Sequence, residues 1–469
     1  MIVLKFGGSS VDSAASIERV AGIVRSLLPR RPVVVVSAMA KTTRQLLKCA
    51  DAAAAGDLDL PTAYTLYEEL RGFHWREAHA AVPAGGHRVL DAVLERYFGE
   101  LRQRIDELAV TGQLTPRIAD VVASYGELLA SAILALAIDG LGDVEAPWID
   151  CRQVMITDDA FNRARPIYEE TDARLRRALL PHVEAGRVPV LGGYVGATRD
   201  GATTTLGKEG SDFSAAIVGA ALGAEEIQIW TDVDGMMTAD PQVVPDARKV
   251  CTLSFCEALE LACSGAKKPH YGTLGPASRA GVPIRVLSSR TSRLGETLQG
   301  TLIGRRDPDA PPVIKSITSR ANAHRITVRG SGDGFQEAVF EACERFRPSL
   351  IVLGIGGMGD PSDQEVELAL DKEERLFEIH SALGRIGELG LAPGRAVVTL
   401  VSEDLATSPE LRERTLAAAS ERPGLEPRLV LAGVAAPCVR CLTSEDECPS
   451  VVASLHEKVF GSSSGEPVP

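Results

Sequence analysis

The chain has 469 residues, 45% of them hydrophobic and only 4% aromatic, with a formal net charge of −13. That length allows roughly two to four domains of about 100–200 residues each, with cores built from Ala, Val, Leu and Ile. The 50 Lys and Arg residues are dispersed, which leaves no basic stripe able to track a phosphate backbone and excludes nucleic acid as the expected partner.

Residues 1–6 read as a short apolar strand ending at Gly7-Gly8. They lack the basic lead and cleavage site of a signal peptide. No stretch reads as the roughly 18 apolar residues that span a bilayer, so no membrane partner and a cytoplasmic location are expected. A helix follows over 14–28, and PVVVVS at 32–37 is a β-branched run suited to a buried strand. Residues 46–136 are mainly helical, broken at Pro83-Ala84-Gly85-Gly86. A second series has strands at 146–149, 188–192, 227–231 and 281–287 and helices over 168–185 and 212–222. Apolar strands joined by helical crossovers imply a mostly parallel sheet covered on both faces.

Charge and proline cluster at 305–312, which reads as a linker. Beyond it, strand-like runs at 325–328, 350–353, 367–370, 396–401, 429–432 and 438–442 alternate with helices, as in two small βαββαβ units. The tail, 461–469, is expected to be disordered. Nine cysteines without a framework spacing suit reduced thiols. Cys438, Cys441 and Cys448 with His456 form an incomplete zinc pattern, and no metal site is expected.

Four segments carry chemistry. Lys5-Phe6-Gly7-Gly8-Ser9-Ser10 sits at the carboxyl end of the first strand, where ligands bind in open α/β sheets. Its glycines allow main-chain N–H groups close to phosphate oxygens, and its lysine can neutralise charge on a transferring phosphoryl group. Thr203–Asp212 brings hydroxyls, glycines and Lys208 to a helix N-terminus, a ready anion site, although Asp212 also fits a simple N-cap. Trp230-Thr231-Asp232-Val233-Asp234-Gly235 follows a strand, and Gly265-Ala266-Lys267 adds a cation. Glu127 opens an apolar helix over 128–138, either to grip a substrate ammonium or to favour the helix dipole. No Walker-type phosphate loop is present.

In this order the segments resemble those of the aspartate kinases of the amino-acid kinase family, over residues 1 to about 303. Lys-Phe-Gly-Gly-Ser-Ser, Val-Ser-Ala-Met-Ala-Lys-Thr-Thr (36–43), Ser-Tyr-Gly-Glu (124–127), Thr-Thr-Thr-Leu-Gly-x-x-Gly-Ser-Asp (203–212), Trp-Thr-Asp-Val-Asp-Gly and Gly-Ala-Lys (265–267) carry the likeness. It is similar above all to the single-function, lysine-sensitive type with paired ACT domains. The resemblance implies an amino-acid kinase domain over 1–304, an α/β/α sandwich with a mostly parallel open sheet, and an α+β ACT-like region over 313–460. It implies ATP and Mg2+ as cofactors, L-aspartate as substrate, a possible amino-acid effector and a homodimer. By position, Lys5 and Asp212 would be catalytic. Thr43, Glu127 and Lys208 would bind substrate, and Gly7, Gly8, Ser9, Thr231, Asp232, Met237, Gln242 and Lys267 the nucleotide.

The departures have chemical content. Lys208 stands where the family has an arginine, giving a point charge in place of a fork, and Glu209 replaces a glycine. Met237 and Gln242 replace a tyrosine and an arginine, Arg44 an asparagine, and Lys268-Pro269-His270-Tyr271 the usual Val/Met-Leu-His-Pro. Gly354-Ile355-Gly356-Gly357-Met358-Gly359 stands where the effector segment belongs, so weak or absent lysine inhibition is expected. Two other readings stay open: a paralogue acting on a different amino-acid carboxylate, and a non-catalytic effector-binding homologue.

Overall fold

The computed structural model describes residues 1–56, 58–266, 271–291, 300–306, 310–346, 349–356, 364–371, 376–422, 425–431, 435–461 and 467–468. In chain order the elements begin with β1 (Ile2–Phe6), α1 (Ala14–Ser26), β2 (Pro32–Val36), α2 (Thr42–Ala54), α3 (Leu60–Ala81), α4 (His87–Thr111) and α5 (Pro116–Asp139). Next come β3 (Trp148–Ile149), α6 (Tyr168–Glu184), β4 (Val190–Gly192), β5 (Val195–Ala197), β6 (Thr203–Thr205), α7 (Gly210–Leu222) and β7 (Glu226–Thr231). They continue with β8 (Thr252–Ser254), α8 (Phe255–Cys263), α9 (Tyr271–Ala280), β9 (Ile284–Ser288) and β10 (Thr301–Gly304). The last group is β11 (Ser316–Gly330), α10 (Phe335–Arg345), β12 (Leu350–Gly356), β13 (Gln364–Asp371), α11 (Leu376–Leu383), β14 (Glu388–Val401), α12 (Asp404–Thr407), α13 (Pro409–Ser420), β15 (Pro427–Val430), β16 (Cys438–Ser444) and α14 (Cys448–Phe460). Two compact units result: Met1–Asp234 with Gly272–Gly300, and Gly235–Tyr271 with Thr301–Pro469. Packing therefore groups residues 235–271 with the later part of the chain rather than with the segment they follow.

In the first unit six strands pair in parallel in the order β3-β4-β2-β1-β7-β9. The valines of β2 and the apolar residues of β1 are fully buried, as strands covered on both faces require. Ile2, Leu4 and Phe6 join the core that includes α1 and α5, while Val3 lies against Gly219 of α7. Alternation along β1 therefore turns Lys5 towards α7. From β1 the chain passes to β2 on one side and later to β7 on the other. That reversal makes the carboxyl end of β1 a switch point where such sheets bind ligands.

Helix α5 corrects two expectations. It runs unbroken from Pro116 to Asp139, with Thr115 accepting from the Ile118 N–H as N-cap. Glu127 therefore sits in the middle of the helix, too far from its start to favour the dipole. The helix is also long and apolar enough to cross a membrane, contrary to the reading that no such stretch exists, but 89% of its most apolar window is buried in protein. Gly126 is required where α5 crosses the loop after β2: a Cβ there would lie 2.8 Å from the Ala38 Cβ.

The second unit holds an antiparallel sheet in the order β12-β13-β11-β14-β16-β15. The two βαββαβ halves read from the sequence share their central strands. Each of β11 and β14 spans both halves, with register shifts around Ala323 marking the junction. The expected strands at 325–328 and 396–401 are one end of each. Cys438 and Cys441 lie buried on β16, and the His456 ring bonds Thr238 Oγ1 at 2.8 Å. Val468, in the tail expected to be disordered, pairs with the chain at Val250, donating to the Lys249 carbonyl at 2.8 Å.

Candidate active site

The register brings several loops to one edge of the first unit. Phe6 pairs with both Val36 and Trp230, and Val36 pairs with Gly192. The loops after β1, β2, β4 and β7 thus leave the sheet together. Gly7 donates its N–H to the Trp230 carbonyl at 3.1 Å, Ala40 to the Gly8 carbonyl at 3.0 Å, and Gly193 to the Val36 carbonyl at 2.9 Å. Gly8 is fixed by contact: a Cβ would lie 2.7 Å from the Ala38 carbonyl oxygen. The loops after β1, β2 and β4, with the start of α7, border an open cavity of about 410 Å3 lined by Lys5, Gly8, Thr43, Glu127, Lys208 and Ser211 among others.

Two groups give this cavity its chemistry. Lys5, buried on β1, forms an ion pair with Asp212, also buried, in the first turn of α7. Asp212 is not the N-cap, since Glu209 occupies that position. Its carboxylate instead holds the Lys5 ammonium where the sheet opens. Glu127 is the second group, 4% exposed, with Oε2 making no hydrogen bond among the described residues. Burial pushes its carboxyl up to about 8, against the Ala38 main chain and Lys5, which pull it down. A buried carboxyl with an open oxygen can pair with an ammonium group once it has lost its proton.

Gly7, Gly8 and Ser9, expected to approach phosphate, lie in the turn after β1. Ser10 beside them reaches Ser289 Oγ at 2.7 Å, and Ser289 donates its N–H to the Thr231 carbonyl at 2.8 Å. Thr231 in turn bonds Asp232 Oδ1 at 3.1 Å. The first strand's turn and the Thr231-Asp232 segment are thereby linked. Met237 and Gln242 belong to the second unit, and Lys267 lies outside the described residues, as does 268–270.

Residues 1–288 match the amino acid kinase family. The chain is 31% identical to the Escherichia coli lysine-sensitive aspartokinase 3, over 98% of this chain and 99% of that one. It is 30% identical to Arabidopsis thaliana chloroplastic aspartokinase 2, over 98% and 84%. The crystal structure of E. coli aspartokinase III in complex with aspartate and ADP superposes with a TM-score of 0.77 at 28% identity, covering 98% and 100%. The chain belongs to the aspartokinases of the amino acid kinase family. The sheet of its second unit is, accordingly, the paired ACT-like region of an aspartokinase.

Set in an aspartokinase, the rim residues Lys208 and Glu209 acquire a geometry. Lys208 is exposed and Glu209 half-buried, both lining the cavity. Glu209 adopts φ of 55°, the left-handed region that costs an L residue roughly 1–2 kcal/mol. A glycine would bear this conformation without strain.

The sequence reading missed Asp120, two helical turns before Glu127 on the same side of α5. It is buried and accepts from the Asn162 N–H at 2.9 Å, the Thr205 N–H at 3.0 Å and the Thr205 hydroxyl at 2.6 Å. Asp120 thus ties two cavity-bordering segments, at Asn162 and after β6, to the helix that carries Glu127. Two carboxylates on one side of an otherwise apolar helix were a usable signal. Asp120→Ala leaves three donors without an acceptor and is expected to destabilise the chain by roughly 3 kcal/mol and to raise the KM for substrate, as read by thermal unfolding and steady-state kinetics. An unchanged Tm and KM would remove Asp120 from the account.

Proposed function

We propose that this aspartokinase transfers the γ-phosphoryl group of ATP to the side-chain carboxylate of L-aspartate, giving ADP and 4-phospho-L-aspartate. The carrying observation is one cavity bordered by a buried carboxyl with an open oxygen, Glu127, and by the buried cation Lys5. Glu127 takes the substrate ammonium, Thr43 and Lys208 take the α-carboxylate, and the side-chain carboxylate is directed towards Lys5. A carboxylate is already a nucleophile at neutral pH, so positioning and charge neutralisation carry the reaction. Lys5 neutralises charge on the transferring group, Asp212 holds Lys5 in place, and main-chain N–H groups of Gly8 and Ser9 approach the phosphates, while Gly7, whose N–H is taken by the Trp230 carbonyl, shapes the turn beside them. Thr231 and Asp232 border the nucleotide, with Met237, Gln242 and Lys267 assigned to the same role.

Among the described residues no cluster of three or more His, Cys, Asp or Glu side chains could hold a metal ion. Mg2+ arriving on the ATP oxygens would keep several waters and need only one or two protein carboxylates besides phosphate. Asp212 and Asp232 would hold the ion, which when bound would offset charge on the phosphates.

A second reading, another amino-acid carboxylate as substrate, is favoured by Glu209 at the cavity rim. Lys208→Arg/Glu209→Gly removes an anion and the strained backbone and supplies a guanidinium fork. The double variant is expected to lower the KM for aspartate by about tenfold, on the order of one charge-assisted hydrogen bond. A higher KM for aspartate, with gain on a different carboxylate, would favour the second reading.

The proposal also assigns catalysis to 1–304 and regulation to 313–460, in a cytoplasmic homodimer with an amino-acid effector. Lysine itself is expected to inhibit weakly or not at all; inhibition at micromolar lysine in a titration of turnover would contradict this.

A further inference from the structure

All six strands of the second unit's sheet contribute a side chain to one cavity of about 170 Å3. Four of these are arginines: Arg325 on β11, Arg395 on β14, Arg428 on β15 and Arg440 on β16. The sheet curls so that its edges meet here, since a Cβ on Gly354 of β12 would lie 2.8 Å from the Arg428 Cδ. Arg428 and Arg440 stand directly opposite each other in the ladder, where like charges repel.

The carboxylates present offset only part of this charge. Glu367 pairs with Arg325 and, at 3.0 Å, with Arg428 Nη1. Glu260 pairs with Arg440. Glu426 is 86% exposed and 3.8 Å from Arg428, so solvent screens it. Arg395 is exposed and makes no ion pair among the described residues. Arg440 is 1% exposed, and its Nε and Nη1 have no hydrogen-bond partner among the described residues. Buried donors of a charged group normally find acceptors. A clamp of Glu367 between two strands accounts for Arg325 and Arg428, but it leaves Arg395 and the open donors of Arg440 without a purpose.

We propose that this cavity binds a small oxyanion, a carboxylate or phosphate group, received by the Nε and Nη1 donors of Arg440 and by Arg395 and Arg428. Planar guanidinium donors match both groups in geometry. At about 30 Å3 per water the cavity has room for a small organic anion as well as for an inorganic one. The site lies wholly in the ACT-like unit and owes nothing to the residues assigned to catalysis.

The test is thermal unfolding of the full chain without ATP or aspartate, titrated with inorganic phosphate or with succinate at constant ionic strength. Saturable stabilisation is expected from at least one anion, since a ligand bound only to the folded state raises Tm. Arg395→Ala should shift the midpoint about tenfold to higher concentration, the weight of one charge-assisted hydrogen bond, while leaving basal turnover unchanged. Arg440→Lys, which keeps a cation for Glu260 but removes the fork, should weaken binding as well. A response to phosphate alone identifies a phosphate group, and one to succinate alone a carboxylate. No saturable response, or the same midpoint in both variants as in the parent, overturns the proposal, because any anion bound then sits elsewhere.

Discussion

Lys5→Met is expected to lower kcat by about 10³-fold or more, the scale on which a cation at a transferring phosphoryl group acts. Alternation in β1 turns Lys5 away from the α1–α5 core and towards α7, where it forms its buried ion pair with Asp212. That pair complicates the measurement. Removing one partner of a buried ion pair costs roughly 3–5 kcal/mol through the charge left behind, so the single variant is expected to lose stability as well as turnover. Lys5→Met/Asp212→Asn removes both charges and should recover most of the thermal stability while staying inactive. Near-normal kcat in Lys5→Met would refute the role given to Lys5. Recovery of kcat in the double variant would reduce the pair to a structural feature.

Glu127→Gln should act on binding instead. Truncating one partner of a buried charge pair costs about 2–5 kcal/mol, so the KM for aspartate should rise by about 30-fold or more. The pH profile carries more information than the magnitude. Burial raises the Glu127 carboxyl to about 8 in the substrate-free protein, so at neutral pH it is mostly protonated and must lose a proton to pair with an ammonium. Below about 8, kcat/KM for aspartate should therefore rise with pH by up to about tenfold per unit, levelling above that value. The rise should vanish in Glu127→Gln. Stability follows the opposite sign. A carboxyl raised in the folded state favours folding most at low pH, and that advantage is lost as pH climbs from the ordinary carboxylate range through about 8. Glu127→Gln should lack this loss, so its Tm at pH 8 should match or exceed the parent's. A flat parent profile between pH 6 and pH 8 would contradict the placement of Glu127 against the substrate ammonium.

Much of the first unit was legible because its signals are local. A run such as PVVVV has no other stable use than a buried parallel strand, and Gly7-Gly8 at a strand end announces a backbone that something must approach. Lys5 and Asp212 were each readable as phosphate-side residues, but their pairing was not, because it depends on strand alternation bringing residues from opposite ends of the unit together. Glu127 was misplaced within its helix for a similar reason. The apolar run after it marks a helix over 128–138, whereas the helix continues through Gly126, a contact glycine under Ala38. Asp120 was missed because a carboxylate in the first third of a helix looks like a solvated one until β6 and the Asn162 segment bring their donors to it.

The second unit was harder to read. Its long strands β11 and β14 contain exposed and charged stretches, such as Arg395 beside Gly394 within β14, that break the apolar alternation on which strand recognition rests. Only their more apolar ends were visible. The arginines that line the sheet's cavity come from four strands, β11, β14, β15 and β16, and no spacing along the chain encodes the meeting of Arg325 and Arg395 with Arg428 and Arg440.

The central claim is that one cavity joins ATP to the side-chain carboxylate of aspartate, and trapping the product tests it most directly. With ATP, Mg2+ and L-aspartate in the presence of hydroxylamine, ADP and aspartyl β-hydroxamate should form in equal amounts, and Lys5→Met should form neither. ADP without hydroxamate, or hydroxamate formed from another amino-acid carboxylate but not from aspartate, would contradict the account.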